Sequence, residues 1–332
     1  MKIAVVGLGA VGGLIAVRLA RAGYAVSALA RGATLAAVRE RGLRLQIDGE
    51  ELTARVPATD DAAELGPQDL VVVALKGPAL IESAPALRPL LGAGTAVLPA
   101  MNGVPWWFLQ SGAEAAFASN EPLASVDPGG HIAALLPLAQ VLGCVVHLTC
   151  SSPQPGVVRH GFGNRLIVGE PAGGASTRTT AVCDVLAHAG FTAEPSADIR
   201  SDIWYKLWGN MTTNPISALT GAATDRILDD PLVQAFMLRA MAEAAEIGAR
   251  IGCPIAQSGE ERVVVTRQLG GFRTSMLQDA TAGRPLEIDA LVTAVHEIGV
   301  RTGVATPNIG ALLGLTRLMA RERGLYPPTA LD

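Results

Sequence analysis

The sequence predicts an α/β domain built on a parallel sheet, followed by an all-α domain, and two observations carry that reading. At the start, Ile3, Ala4, Val5 and Val6 form a short apolar run of the kind buried in a parallel strand. Gly7-Leu8-Gly9-Ala10-Val11-Gly12-Gly13 follows at once. Leu14, Ile15, Val17 and Leu19 then recur as on a helix, and Tyr24 to Leu29 is a second apolar run. The order is strand, glycine turn, helix, strand. From Asp198 onward, by contrast, each stretch has the period of a helix.

The glycines of the first turn have separate tasks. Gly7 allows the tight turn, Gly9 lets backbone approach a pyrophosphate, and Gly12 lets helix pack on strand. Leu8, Ala10 and Val11 complete the turn, whose N–H groups and helix dipole favour a diphosphate. A G-x-G-x-x-G pattern is weak by itself and gains weight here because it follows a strand and opens a helix. The predicted architecture is therefore an N-terminal Rossmann-type dinucleotide-binding domain, residues 1–196, followed by an all-α substrate and catalytic domain, residues 197–332. The end of the second strand reads Ala28-Leu29-Ala30-Arg31-Gly32, without the carboxylate that accepts from an NAD ribose. Arg31 offers instead a planar donor fork for a 2′-phosphate, so the expected cofactor is NADPH/NADP+.

Composition narrows the function. A chain of 332 residues with net charge −4 and a pI near 5.8 lacks the basic surface of a nucleic-acid binder. No apolar run approaches the roughly 18 residues of a membrane span. Glycines interrupt the first apolar run, and Arg18 and Arg21 follow it in a helical pattern, against a signal peptide. Cys144, Cys150, Cys183 and Cys253 form no C-x-x-C pair, and a cytoplasmic location is expected. Of 26 basic residues only Lys2, Lys76 and Lys206 are lysines. Lysine can give up a proton in a suitable site and arginine cannot, so these positions draw attention.

Along the chain, Thr34 to Arg41 reads as a helix, and two alternating runs about Asp48-Gly49 read as a hairpin. Leu70 to Leu75 and Thr95 to Leu98 are strands, with Lys76 and Asn102-Gly103 just beyond them. Ligands lie beyond the carboxyl ends of parallel strands, which places Lys76 and Asn102 on the cofactor edge. Trp106 and Trp107, in an aromatic-poor chain, are expected to narrow a substrate pocket. Three strands are expected at Val145 to Cys150, Gly156 to His160 and Arg165 to Val168, then a helix from Thr177 to His188 and a short strand from Gly190. About six helices follow, the first capped by Asp198 and broken or kinked by Pro215.

Lys206, Asn210 and Asn214 are spaced i, i+4, i+8 and share one helical face, with Ile203, Leu207, Trp208 and Met211 around them. An ammonium beside two amides on an apolar helix suits a proton donor. Glu287 opens a later helix, where the N-terminus stabilises a carboxylate.

These motifs together resemble the ketopantoate reductase family (2-dehydropantoate 2-reductases), in the same order and nearly end to end. The matching residues are Gly7-x-Gly9-x-x-Gly12, Arg31, Lys76, Asn102-Gly103, Lys206-x-x-x-Asn210-x-x-x-Asn214-Pro215, Ser275-Met276-x-Gln278-Asp279 and Glu287-Ile288-Asp289. The resemblance implies NADPH-dependent reduction of a 2-oxo acid to a 2-hydroxy acid, ketopantoate to pantoate in pantothenate biosynthesis. It implies Lys206 as general acid, and Glu287 as a group that binds the substrate hydroxyl or holds Lys206. Asn210, Asn214 and Ser275 would orient substrate, while Lys76 and Asn102 would contact the cofactor ribose and the reacting centre. A further family asparagine is replaced here by Thr224, expected at the substrate. Alternatives are a hydroxyacid dehydrogenase acting on another substrate and a non-enzymatic NADP-sensing regulator. The expected partner is a small 2-oxo acid, with no nucleic acid, membrane or metal; the apolar helical domain makes a homodimer plausible. His296-Glu297 fails as a zinc motif because Val300 stands where the second histidine is needed.

Overall fold

The structure is a computed structural model and describes residues 1–110, 121–268 and 270–327. A helix is expected from the sequence over Gly259 to Leu269, and its last residue lies outside the described ones. The chain divides into two compact units, one of residues 1–102 and 130–202, the other of residues 103–129 and 203–332. Residues 103–129 thus join the helical unit, although the sequence reading left them in the first domain.

In the first unit, β1 (Lys2–Val6), β2 (Ala25–Leu29), β5 (Ala58–Thr59), β6 (Gln68–Val73) and β7 (Leu91–Pro99) form a parallel sheet in the order β5-β2-β1-β6-β7. The order reverses at β1, between β2 and β6. Helix α1 (Ala10–Arg21) packs against this sheet and against a second one. Buried on both sides, it is apolar nearly all round: Leu14, Ile15, Ala16, Val17 and Leu19 have no exposed surface. The second sheet contains β3 (Leu43–Ile47), β4 (Glu50–Ala54), β8 (Gly143–Gln154), β9 (Val157–Gly169) and β10 (Thr192–Ser196). The expected hairpin is β3 with β4, turning at Asp48-Gly49, both in the left-handed region. The three strands expected between 145 and 168 are two, β8 and β9, paired antiparallel with irregular register near Thr149. Gly161 and Gly163 sit inside β9; Gly163, at φ +76°, lies where a Cβ would come 2.7 Å from the His147 carbonyl. Helices α2 (Gly32–Arg41), α3 (Gly77–Ser83), α4 (His131–Leu135) and α5 (Thr177–His188) complete the unit.

The second unit is built on α6 (Ile199–Thr220), whose first residues belong to the first unit. Asp198 caps it, its carboxylate accepting from Ser201 N at 3.1 Å. The helix does not break at Pro215, as expected, but runs five residues beyond it. Proline removes one donor, and tight burial of Thr212, Ile216, Ser217 and Ala218 holds the helical path. Helix α7 (Thr224–Asp229), absent from the sequence reading, precedes α8 (Pro231–Arg250), which Asp230 caps through Leu232 N and Val233 N. Two indoles tie α6 to α8: Trp204 Nε1 donates to Ala244 O at 3.2 Å and Trp208 Nε1 to Met241 O at 2.7 Å. Gly248 makes room, since a Cβ there would lie 2.4 Å from Trp204 Nε1. The remainder is α9 (Gly259–Gln268), α10 (Ser275–Thr281), α11 (Ala294–Thr302) and α12 (Pro307–Glu322). The helix expected from Glu287 begins instead with a π-turn over Asp289–Thr293. Asp289 anchors that turn, accepting from Tyr326 Oη at 2.5 Å and Thr293 Oγ1 at 3.0 Å.

Backbone hydrogen bonds at both ends of the stretch 103–129 tie it to this unit. Val104 N donates to Ala290 O, on the π-turn, at 2.8 Å. Further on, the Glu297 carboxylate accepts from Ala124 N at 2.9 Å and Ser125 N at 3.0 Å, and Arg301 bridges Glu297 to the carbonyls of Glu121 and Pro122. Burial alone would push the Glu297 carboxyl up. The hydrogen bonds from Ser125 and Ala124 and the Arg301 charge outweigh it and hold the group below its usual range.

A depressed carboxyl contributes stability above its unfolded-state pKa, near 4, and that contribution fades as pH falls through the lower folded value. Glu297→Gln should destabilise the protein by about 1–3 kcal/mol at pH 7. Urea melts should show the gap from the parent closing below about pH 4. A gap that is constant with pH would refute the ionic clamp. Gly103 stands at φ +84°, where a Cβ would lie 2.4 Å from Ala290 O. Gly103→Ala should therefore cost more than about 1 kcal/mol and lower Tm, whereas an unchanged melt would show that the contact yields freely.

Candidate functional site

The strand register of the first unit aligns the ends of four strands: Leu29, Val6, Val73 and Pro99 lie side by side. The residues that follow these ends are Arg31, the glycine turn, Lys76 and Asn102, so all four expected cofactor contacts emerge along one sheet edge, two flanking the point where strand order reverses. Gly7 is at φ +89°, where a Cβ would meet Leu75 Cδ2 at 2.6 Å. A Cβ on Gly12 would lie 2.0 Å from Gly7 O and 2.9 Å from Ala74 Cβ. Gly9 differs: it is the exposed N-cap of α1, with nothing within 4 Å of where its Cβ would be. Two glycines are thus required by packing and the third leaves open room at a helix N-terminus. No acidic residue stands in the first turn of α1. Leu8 is buried beneath the turn, and Ala10 and Val11 are half-buried. This arrangement fits a dinucleotide pyrophosphate.

Arg31 is the N-cap of α2 and is exposed. Its Nη1 and Nη2 each donate to one oxygen of Glu82, both at 3.1 Å. The hydrogen bonds hold the Glu82 carboxyl below its usual range, so it is charged at neutral pH. Nothing in the sequence pairs positions 31 and 82, which lie on α2 and α3, and Glu82 was missed there. Lys76, half-buried, is the N-cap of α3.

In the second unit, Lys206, Asn210 and Asn214 lie on successive turns of α6. Lys206 and Asn210 are half-buried and Asn214 is 5% exposed. The turns around them are walled by Leu207, Trp208 and Met211, all buried. Two residues before Lys206, Trp204 stacks on Phe108, ring centroids 5.9 Å apart. Trp106, Trp107 and Phe108, the first two of which the sequence expects to narrow a substrate pocket, are all buried. The indole N–H groups of Trp106 and Trp107 have no hydrogen-bond partner among the described residues. Glu287, half-buried, directly precedes the helical residue Ile288 and the π-turn.

Thr224, expected at the substrate, has its hydroxyl engaged by the backbone of a neighbouring loop. It is 1% exposed, and its hydroxyl donates towards Gly270 O and Phe272 O and accepts from Phe272 N at 3.1 Å. It clasps the loop that leads to Thr274, which caps α10 through Leu277 N. Ser275, the first residue of α10, is exposed. Asp279, in the same motif, pairs with Arg284 at 2.8 Å.

Other chemistry finds no support among the described residues. No group of three His, Cys, Asp or Glu residues is placed to hold a metal ion. Burial pushes the Cys150 thiol up to about 12 and the Cys183 thiol up to about 11, far from a reactive thiolate. No helix is long and apolar enough to cross a membrane. His296 hydrogen-bonds Thr306 Oγ1 at 2.7 Å, and Glu297 serves the clamp described above.

Comparison with known proteins bears on the same residues. The family model for ketopantoate reductase PanE/ApbA matches residues 3–173, and that for its C-terminal part matches residues 198–320. A 2-dehydropantoate 2-reductase of Mesorhizobium japonicum is 44% identical over 327 residues, 98% of this chain and 100% of its own. A solved structure from Ralstonia solanacearum MolK2, assigned as a ketopantoate reductase, is 59% identical with a TM-score of 0.94, covering 98% of this chain and 99% of that one. A PanE/ApbA family ketopantoate reductase from Ralstonia eutropha JMP134 is 25% identical with a TM-score of 0.82, covering 98% and 100%. With both halves matched and the glycine turn, the lysine helix and the glutamate turn each in place, the chain belongs to the ketopantoate reductase family.

Proposed function

We propose that this protein reduces a 2-oxo acid to the 2-hydroxy acid with NADPH, with 2-dehydropantoate as substrate and pantoate as product. The single observation that carries the reading is the full-length match to a 2-dehydropantoate 2-reductase. The lysine–asparagine face of α6 supports it. The family uses NADPH, and Arg31 at the end of β2 suits its 2′-phosphate better than an NAD ribose. The four cysteines are free thiols, which fits work in the reducing cytoplasm.

The proposed division of labour follows from chemical type. Bound NADPH supplies a hydride to the ketone carbon. Negative charge then develops on the ketone oxygen, and the Lys206 ammonium both stabilises it and delivers the proton from Nζ. Leu207, Trp208 and Met211 keep the face around Lys206 poor in water, which strengthens that interaction. Asn210, Asn214 and Ser275 hold the substrate by neutral hydrogen bonds, Asn214 from a buried position that favours a fixed orientation. Glu287 receives the substrate hydroxyl or steadies Lys206. Gly7 to Gly12 hold the diphosphate, while Lys76 and Asn102 reach the ribose and the reacting centre. Thr224 acts only by shaping the loop before Ser275.

Lys206→Ala removes charge and proton; Lys206→Arg keeps charge but not a usable proton. General acid catalysis is worth roughly 10²–10⁴-fold, so both variants should lose at least about a hundredfold in kcat on 2-dehydropantoate. Both should keep NADPH affinity, and the parent's rate should fall on the alkaline side. A Lys206→Ala enzyme within about tenfold of the parent, with chemistry rate-limiting, would remove the proton from Lys206. An NADPH-binding parent that reduces no 2-oxo acid would overturn the function itself.

A further inference from the structure

The fork that should receive the 2′-phosphate is already engaged. Both terminal nitrogens of Arg31 donate to both oxygens of Glu82, end to end, and no other charge partner of Arg31 is seen among the described residues. Two exposed side chains, 64% and 67% accessible, come together from different helices. Such an exposed pair adds little to folding, so its effect falls mainly on whatever binds beside it.

Charge counting gives the direction of that effect. Arg31 alone would meet a phosphate as a +1 site. With Glu82 bound it is a neutral site with an anionic face. A phosphate monoester carrying roughly −1.5 to −2 must displace or crowd that carboxylate. A 2′-hydroxyl has the opposite preference, because it is a donor and a carboxylate is its natural acceptor. The usual acceptor comes from the end of the second strand, which here carries none. Glu82 brings a carboxylate to the same place from α3.

We infer that Glu82 sets the cofactor discrimination of this enzyme: it tempers the hold of Arg31 on NADPH and supplies the acceptor through which the ribose 2′-hydroxyl of NADH is also taken. The inference rests on the NADPH reading above and deepens it. The protein should consequently bind both dinucleotides, with a preference for NADPH smaller than an unopposed arginine would produce.

The test is dissociation constants for NADPH and NADH without substrate, by calorimetry, on the full-length parent, Glu82→Gln and Arg31→Ala. Glu82→Gln keeps the shape and removes the charge. It should bind NADPH several-fold tighter and NADH equally or more weakly, raising the NADPH-to-NADH ratio on the order of tenfold at low salt and less at high salt. Thermal melts should be unchanged, as expected for an exposed pair. A ratio that stays the same or falls in Glu82→Gln overturns the role of Glu82. A fall would mean that the carboxylate orients Arg31 rather than competing with phosphate. Arg31→Ala separates the two levels: it should weaken NADPH and leave NADH nearly unchanged. Equal weakening of both, or none, overturns the NADPH reading itself.

Discussion

The rest of the first unit depends on the contact of Gly12 with the carbonyl of Gly7, where a single methyl group would lie 2.0 Å from the oxygen. It draws the first turn of α1 down onto the turn that leaves β1. The same closeness lets α1 sink between two sheets and bury Leu14, Ile15, Ala16, Val17 and Leu19 completely. It also sets the turn beside Ala74 and Leu75, at the end of β6. From there the register of the sheet does the rest, because parallel strands in register end together. Arg31, Lys76 and Asn102 need no contact with each other to share an edge. Backbone hydrogen bonding places them.

The helical unit depends on a different kind of constraint. Its central helix, α6, is held by indole donors to carbonyls of α8, each a hydrogen bond combined with a large buried ring. Phe108 adds a stacked ring on Trp204. The rigidity this gives to α6 matters because Lys206 lies two residues from Trp204 and Trp208 two residues beyond. A proton donor acts only from a fixed position. The π-turn after Glu287 is fixed from two sides, by Tyr326 on Asp289 and by Val104 on Ala290. Burial pushes the Tyr326 hydroxyl up, and its bond to Asp289 adds to this, so the phenol stays a donor at any working pH.

Local signals were legible in the sequence and remote ones were not. The first strand–turn–helix–strand was readable because the glycine turn sits directly between an apolar run and a helical pattern. Helix α5 was readable to the residue, with Ser176 as its cap. Of the two outcomes expected at Pro215, a break does not occur, because a lost donor is a local cost and burial of the residues around it outweighs that cost. The π-turn has no period to read, since it spans a single turn, Asp289–Thr293. Residues 103–129 were misplaced because their anchors, Ala290, Glu297 and Arg301, lie more than 170 positions away in the clamp. The substrate-side residues came chiefly from family resemblance. Thr224 shows the limit of that route: an aligned position had become a buried loop clasp. Glu82 shows the other limit, since no motif contains it.

The central claim is that this chain moves a hydride from NADPH to the carbonyl carbon of a 2-oxo acid while a side chain protonates the oxygen. The most direct measurement is the mass and proton spectrum of the product formed from 2-dehydropantoate with NADPH carrying deuterium at the transferable position of nicotinamide C4, in ordinary water. The account predicts pantoate with one deuterium at C2 and a hydroxyl proton drawn from solvent. Product without deuterium at C2 from either C4 epimer of the labelled cofactor, or no product while NADPH binds, would contradict it.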